Sequence, residues 1–351
     1  MPSNGANLKQ WARERLIGVE NVTMPSFTSD LTELDEEGIR WDVRQAKAHG
    51  FSATMCACET GLTLEENKRF VELVCDEAGD DLLVSLTLLL DSFEQIFDLA
   101  AHADRCGASH ALIGYPPNWR PAAPSDIYDA TREICEASGL GIVLYATDKF
   151  DFARFHPSQV PFEVYDRMVE LDNVVGFKVG FVDPAMTFEA FRRYSDRIEV
   201  NIGTPWLVGM FPMLRKRYHV QWFWGGAWEF WQSPDKPYLV DYYNQVMAGD
   251  IESAMKTYWR FAPATQMVMR ESIGRGGDIG MYNWPMGKYI SWTVGGNGGL
   301  TRQPAMRLTP MQMQGRKMAL RAIGIDPPAD DGEFFLGRAE VARRSASATA
   351  V

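Results

Sequence analysis

Short apolar runs alternate with longer amphipathic stretches eight times along this 351-residue chain, and that rhythm restricts the fold more than any other feature. The runs fall at 16–24, 51–58, 82–89, 111–115, 141–146, 174–180, 198–202 and 220–224 and read as strands. The stretches near 35–49, 64–78, 92–106, 125–138, 161–171, 185–195, 206–217 and 236–248 read as helices. Thr63-Leu64-Glu65-Glu66 is a capping box, with Thr63 as N-cap and Glu66 three residues on. Gly50, Gly107 and Gly139 stand between a helix and the next strand, where a left-handed helix stop is expected.

Strict β-α alternation implies parallel strands with right-handed crossovers. Eight units over roughly 230 residues is the size of an α/β protein of the (β/α)8 TIM-barrel class. A doubly wound open sheet is the competitor. It would more often carry a Gly-rich fingerprint after its first strand, and Pro25-Ser26-Phe27 follows here. The barrel is placed at 1–249 and a C-terminal helical extension at 250–325, with helices near 251–276 and 308–324. Between those helices, Gly295-Gly296-Asn297-Gly298-Gly299 suits either a close backbone approach or a flexible connection. Residues 326–351 are rich in Pro, Asp, Ala and Ser and read as a loosely attached tail.

The net charge of −11 has no basic block to offset it, which argues against nucleic acid as a partner. The five cysteines are odd in number and irregular in spacing, so no disulfide framework is expected. No His-x-x-x-His pair or second Cys pair stands at ligand spacing, so no metal is expected. The first ten residues lack a signal-peptide apolar segment, and no run reaches about 18 apolar residues. The expectation is a cytoplasmic protein without a membrane span.

In a barrel, chemistry sits at the C-terminal ends of the strands. That rule selects Cys58, Glu59 and Thr60, the segment Tyr115 to Trp119, Tyr145, Lys178, Asn201 to Thr204, and Trp224-Gly225-Gly226. Lys178 closes the apolar strand Val174-Val175-Gly176-Phe177. Burial there would lower its pKa and expose a neutral amine, which is what imine chemistry with a carbonyl compound requires. The plainer reading is a lysine that snorkels to water. Tyr145 ends the neighbouring strand and would face the same mouth, where a hydroxyl can relay protons. Trp119 and Trp224 would wall an apolar pocket, whereas Trp222, Trp228 and Trp231 suit packing. Asn201, Gly203 and Gly225 are candidate substrate contacts. Cys58 suits a small wall residue rather than a nucleophile, because no histidine is placed to activate it. Glu59 reads either as an acid/base or as a solvated glutamate.

The chain resembles the dihydrodipicolinate synthase / N-acetylneuraminate lyase family of pyruvate-type class I aldolases. Gly141-Ile142-Val143-Leu144-Tyr145, Val174 to Lys178, Ala248-Gly249-Asp250, Leu62 to Arg69 and Gly298 to Pro304 carry the resemblance. It spans about residues 12–325 in consistent order. Tyr145-Ala146 with Lys149-Phe150-Asp151-Phe152, and Phe223 to Ala227, look most similar to the benzylidenepyruvate hydratase-aldolase branch. The resemblance implies Lys178 as the Schiff-base lysine, Tyr145 as the relay tyrosine, no cofactor, and a homodimer or homotetramer. Two departures stand out. Family members carry Gly-Thr-Thr-Gly-Glu after the second strand, where this chain has Cys56-Ala57-Cys58-Glu59-Thr60-Gly61. The synthases' second tyrosine, after the fourth strand, is replaced by Asn118-Trp119-Arg120. The expected function is a Schiff-base lyase acting on a 2-keto acid or related carbonyl, with an aromatic or bulky acceptor. A keto-acid dehydratase and a catalytically lapsed binding barrel are the alternatives.

Overall fold

Eight parallel strands pair in the order β7-β6-β5-β4-β3-β2-β1-β8. They are β1 (Gly18–Thr23), β2 (Ala53–Cys56), β3 (Leu83–Thr87), β4 (His110–Leu112), β5 (Gly141–Ala146), β6 (Val174–Val179), β7 (Glu199–Val200) and β8 (Trp222–Trp224). The ring closes just beyond β7, where Ile202 bridges Phe223 in parallel and the Trp224 amide donates to Ile202 O at 3.2 Å. The fold is therefore a (β/α)8 TIM barrel, seen in a computed structural model that describes residues 7–180, 183–268, 282–303 and 307–349.

The strands are buried because helices cover the outer face of the ring while its own side chains fill the inside. The crossover helices are Glu36–Ala48, Leu64–Ala78, Phe93–Cys106, Pro124–Glu136, Phe162–Met168, Pro184–Tyr194 and, after β8, Tyr238–Met247. The one expected at 206–217 is instead a 3-10 turn, Pro205–Met210, running into the short helix Phe211–Arg215. Thr63 caps its helix as the sequence predicts, with Glu66 returning the bond.

The barrel interior carries a polar layer low down. The fully buried Glu20 carboxylate accepts from Ser85 Oγ and from Trp222 Nε1 (3.0 Å), and lies 3.0 Å from His110 Nε2. Trp222 stacks on Trp224 with centroids 4.8 Å apart. Trp224 is thus a layer of the packed core, and it forms the floor beneath Lys178.

The C-terminal extension is more extensive than the sequence suggests. Its helices are Ile251–Val268, Trp284–Trp292, Pro310–Ala322, Gly332–Leu336 and Arg338–Thr349. The last two correct the reading of a loosely attached tail. Phe334 is buried against Tyr289, Trp292 and Met313, and Arg343 pairs with Asp35 through two 2.9 Å bonds. Asp35 is the N-cap of Glu36–Ala48, so the tail fastens onto a barrel helix. The expectation at 251–276 runs into residues outside those described. The Gly-rich loop is a close approach rather than a loose connection. Gly298 adopts φ +79°, and a Cβ there would lie 2.9 Å from the Trp292 ring and 3.2 Å from Phe334. Asn297 bonds Ser26 Oγ at 3.0 Å and the Asp42 carboxylate at 2.6 Å. Among the described residues, no helix is long and apolar enough to cross a membrane.

Candidate active site

Parallel pairing of β5 with β6 sets Tyr145 directly opposite Lys178. Both side chains are buried, at 4% and 7% exposure. The Lys178 Nζ makes no hydrogen bond to a described residue. It lies 5.0 Å from the Tyr145 ring centroid and 5.6 Å from that of Trp224. Aromatic faces stabilise a cation less than water does, so burial pulls the pKa down to about 8, against a partial pull upward from Glu59. Gly225, at φ +86°, closes the space over the amine: any Cβ there would collide with Lys178 Nζ and Cε. Around the stem of the lysine stand Asn201 and Gly203. A Cβ on Gly203 would lie 3.1 Å from Asn201 Oδ1 and 3.6 Å from Lys178 Cγ. Both amide atoms of Asn201, the Thr204 hydroxyl and Trp224 Nε1 are buried without a partner among the described residues. Native cores leave few such groups, and those few call for an explanation.

The Tyr145 hydroxyl lies 3.0 Å from the Tyr282 hydroxyl. Burial raises the pKa of both phenols. The Lys149 ammonium sits 5.1 Å above the Tyr282 ring. Tyr282 precedes helix Trp284–Trp292 and reaches the barrel mouth from the extension. Nothing in the sequence spacing announces it, because it lies more than a hundred residues beyond β6.

Cys58, Glu59, Thr60, Tyr115, Tyr145, Phe150 and Tyr282 are among the walls of a cavity of about 860 Å³. Cys58 is buried, and burial pushes its thiol pKa up, which suits a wall rather than a nucleophile. The Thr60 hydroxyl is committed to Ala57 O at 2.8 Å, and the Cys58 amide to Thr87 Oγ1 at 2.9 Å. The Glu59 carboxyl also bonds Thr87. Burial raises its pKa, while Thr87 and the charge of Lys178 oppose that rise. Trp119 does not line the cavity: it packs behind Tyr115, with centroids 5.0 Å apart, and edge-on against Phe93. Trp224 lies under the amine rather than around the cavity. Trp284, Phe150 and the leucines Leu62, Leu64, Leu89 and Leu90 are the apolar wall instead.

Elsewhere, Glu72, His102 and Cys106 bring an oxygen, a nitrogen and a sulfur within 4.8 Å of one another on the outer helices. They bond to each other there, with His102 Nε2 at 3.3 Å from Cys106 Sγ.

The fold and this geometry together define a (β/α)8 barrel with a buried amine at a strand end that has no hydrogen-bond partner among the described residues. The profile of the Dihydrodipicolinate synthetase family matches residues 18–205, and the chain belongs to that family. The 4-hydroxy-tetrahydrodipicolinate synthase of Chlorobium phaeobacteroides is 24% identical over 201 residues, 56% of this chain and 66% of that protein. A probable 5-dehydro-4-deoxyglucarate dehydratase of Saccharopolyspora erythraea is 27% identical over 192 residues, 54% of this chain and 59% of that protein. The chain therefore spans at most two thirds of the length of these curated relatives. N-acetylneuraminate lyase of Fusobacterium nucleatum shares the fold at TM-score 0.71 and 15% identity, covering 88% of this chain and 99% of that one. Dihydrodipicolinate synthase of Aquifex aeolicus does so at 0.71 and 17%, covering 90% and 100%.

Proposed function

We propose that this protein is a lyase that forms a Schiff base between Lys178 and a 2-keto acid or related carbonyl compound, with a bulky or aromatic acceptor. The observation that carries the reading is the buried Lys178 amine, with no hydrogen-bond partner among the described residues and the Tyr145 hydroxyl on the paired strand. The neutral amine adds to the carbonyl carbon to give a carbinolamine. Tyr145 delivers a proton to the departing hydroxyl, and water leaves as the protonated imine forms. That imine accepts the electron pair of a breaking C–C bond, which releases an aldehyde and leaves an enamine. Protonation of the enamine carbon and addition of water then free the keto product and restore the amine. Tyr282 is the nearest group that can exchange a proton with Tyr145. Glu59 shares the cavity as a second acid/base candidate. Asn201, Gly203, Trp224 and Gly225 would surround the bound donor. No cofactor is required by this chemistry.

The apolar walls support the bulky acceptor, as does a cavity far larger than a three-carbon acid needs. The similarity to a probable dehydratase favours the second reading, loss of water from a keto acid on the same imine. A lapsed binding barrel is the third, and it would bind ligand equally well without Lys178. The family resemblance supports a homodimer or homotetramer, which sedimentation would measure. The test of the main reading is reduction with borohydride in the presence of carbonyl compounds. An adduct on the Lys178 peptide is expected; ligand binding that survives loss of Lys178, with no turnover, would favour the lapsed barrel.

A further inference from the structure

One wall of the cavity holds a polar side chain that neither the fold nor the proposed imine chemistry uses. Asn67 sits in the first turn of helix Leu64–Ala78 and is 1% exposed. It lines the cavity, yet neither its Nδ2 nor its Oδ1 has a hydrogen-bond partner among the described residues. An unpartnered buried amide costs free energy that a paired one does not. A leucine in the same place would carry no such cost, and leucines do line the same cavity: Leu62, Leu64, Leu89 and Leu90. A second carboxamide, Gln95 of helix Phe93–Cys106, lines the same cavity, where its Oε1 accepts from the Asp91 amide at 3.3 Å.

The charges nearby narrow what these amides would meet. Arg302 also lines the cavity, but its guanidinium is committed to Leu31 O, Thr32 O and the Glu66 carboxylate at 2.7–2.8 Å. Lys149 belongs to the opposite sector, after β5, over the Tyr282 ring. Asp91 and Glu59 are the acids that line the cavity. Among the described residues, an anionic group beside Asn67 would therefore meet carboxylates, with Lys149 lining another sector of the cavity. An amide offers a donor and an acceptor together, which suits a hydroxyl or a carbonyl.

We infer that Asn67 reads a neutral hydroxyl or keto group carried on the far part of a bulky, otherwise apolar substrate. This rests on the reading of the cavity as the acceptor site and names what distinguishes its preferred acceptor. A site built to hydrogen-bond a substrate group rejects the analogue that lacks it, because the buried amide is then left unpaired.

The probes are 2-naphthaldehyde and its monohydroxylated isomers, titrated calorimetrically into the full chain. At least one isomer is expected to bind about tenfold more tightly than the parent aldehyde, and Asn67→Leu should remove that preference while keeping the parent's affinity. Asn67→Met serves the same purpose if the leucine variant does not fold. Equal affinity for the parent and every isomer overturns the inference, as does a preference that persists in the variants. Borohydride trapping of parallel samples with pyruvate or a bulkier 2-keto acid separates the two claims. An adduct on Lys178 without hydroxyl preference removes Asn67 alone. A preference lost in Asn67→Leu with no adduct removes the Schiff base and keeps the Asn67 site.

Discussion

Lys178 and Lys288 are both buried, and their surroundings differ. Lys288, in helix Trp284–Trp292, is 2% exposed and donates to Pro25 O at 2.8 Å and Ser26 Oγ at 2.9 Å. Burial lowers its pKa, against an upward pull from the nearby Asp42 carboxylate. Lys178 is equally inaccessible, but it has aromatic faces in place of acceptors. A buried ammonium with carbonyl and hydroxyl partners holds the extension to the barrel. A buried amine without them stabilises nothing and is available for chemistry. The difference lies in the shells: Lys288 meets a backbone turn and a hydroxyl, Lys178 a tyrosine, a tryptophan and a glycine that leaves it room.

The comparison breaks most sharply at Lys178→Ala. Imine trapping and turnover should fall to background while the circular dichroism spectrum is unchanged; retained turnover would remove Lys178 from the chemistry. The matching change at the other site, Lys288→Met, should leave imine trapping on Lys178 intact and cost about 3 kcal/mol of stability, since it strands Asp42 and two acceptors. A melting temperature within a degree of the parent would show that Lys288 does not fasten the extension. Tyr145→Phe should slow imine formation about 100-fold, measured by single-turnover trapping. Lys178→Met should stabilise the fold at pH 7 by about 3 kcal/mol, given a pKa of about 8 against the usual 10.5. Across the window from about 8 to 10.5, the unfolded chain holds a proton that the folded chain has released, so the parent gains stability as pH rises. The advantage of the methionine variant should therefore fade over that window in denaturant titrations. A pH-independent advantage would mean that Lys178 is not desolvated. Tyr282→Phe is the mildest change, with about a tenfold slowing expected, because the Tyr145 hydroxyl itself remains.

Much of this was legible in the chain. The β5 run at 141–146 matches the observed strand residue for residue, and β6 ends one residue short of its predicted limit. Both are continuous apolar runs bounded by polar turns, the pattern that buried parallel strands impose. Lys178 and Tyr145 stand out in the sequence because a polar residue at the end of such a run is conspicuous. The tryptophans misled for the opposite reason. An aromatic at a strand end fits a cavity wall and a packed layer alike: the alternation of side chains along β8 stacks Trp224 on Trp222, and the turn after β4 sets Trp119 against Tyr115. Tyr282 and Trp284 were invisible because no period links the extension to the barrel mouth. Asn67 was hidden within a well-formed amphipathic helix, where an asparagine in the first turn looks like surface. The tail deceived by composition: its Pro, Asp and Ala content reads as unstructured, yet Phe334 and Arg343 are enough to anchor it.

The most direct test of the account is borohydride reduction in the presence of pyruvate and bulkier keto acids and aldehydes, followed by peptide mass analysis at pH 8. The account predicts a reduced adduct on the Lys178 peptide with at least one of these compounds, growing about tenfold per pH unit below 8 and levelling above it. No adduct with any of them, or an adduct confined to Lys149 or another lysine, would contradict it.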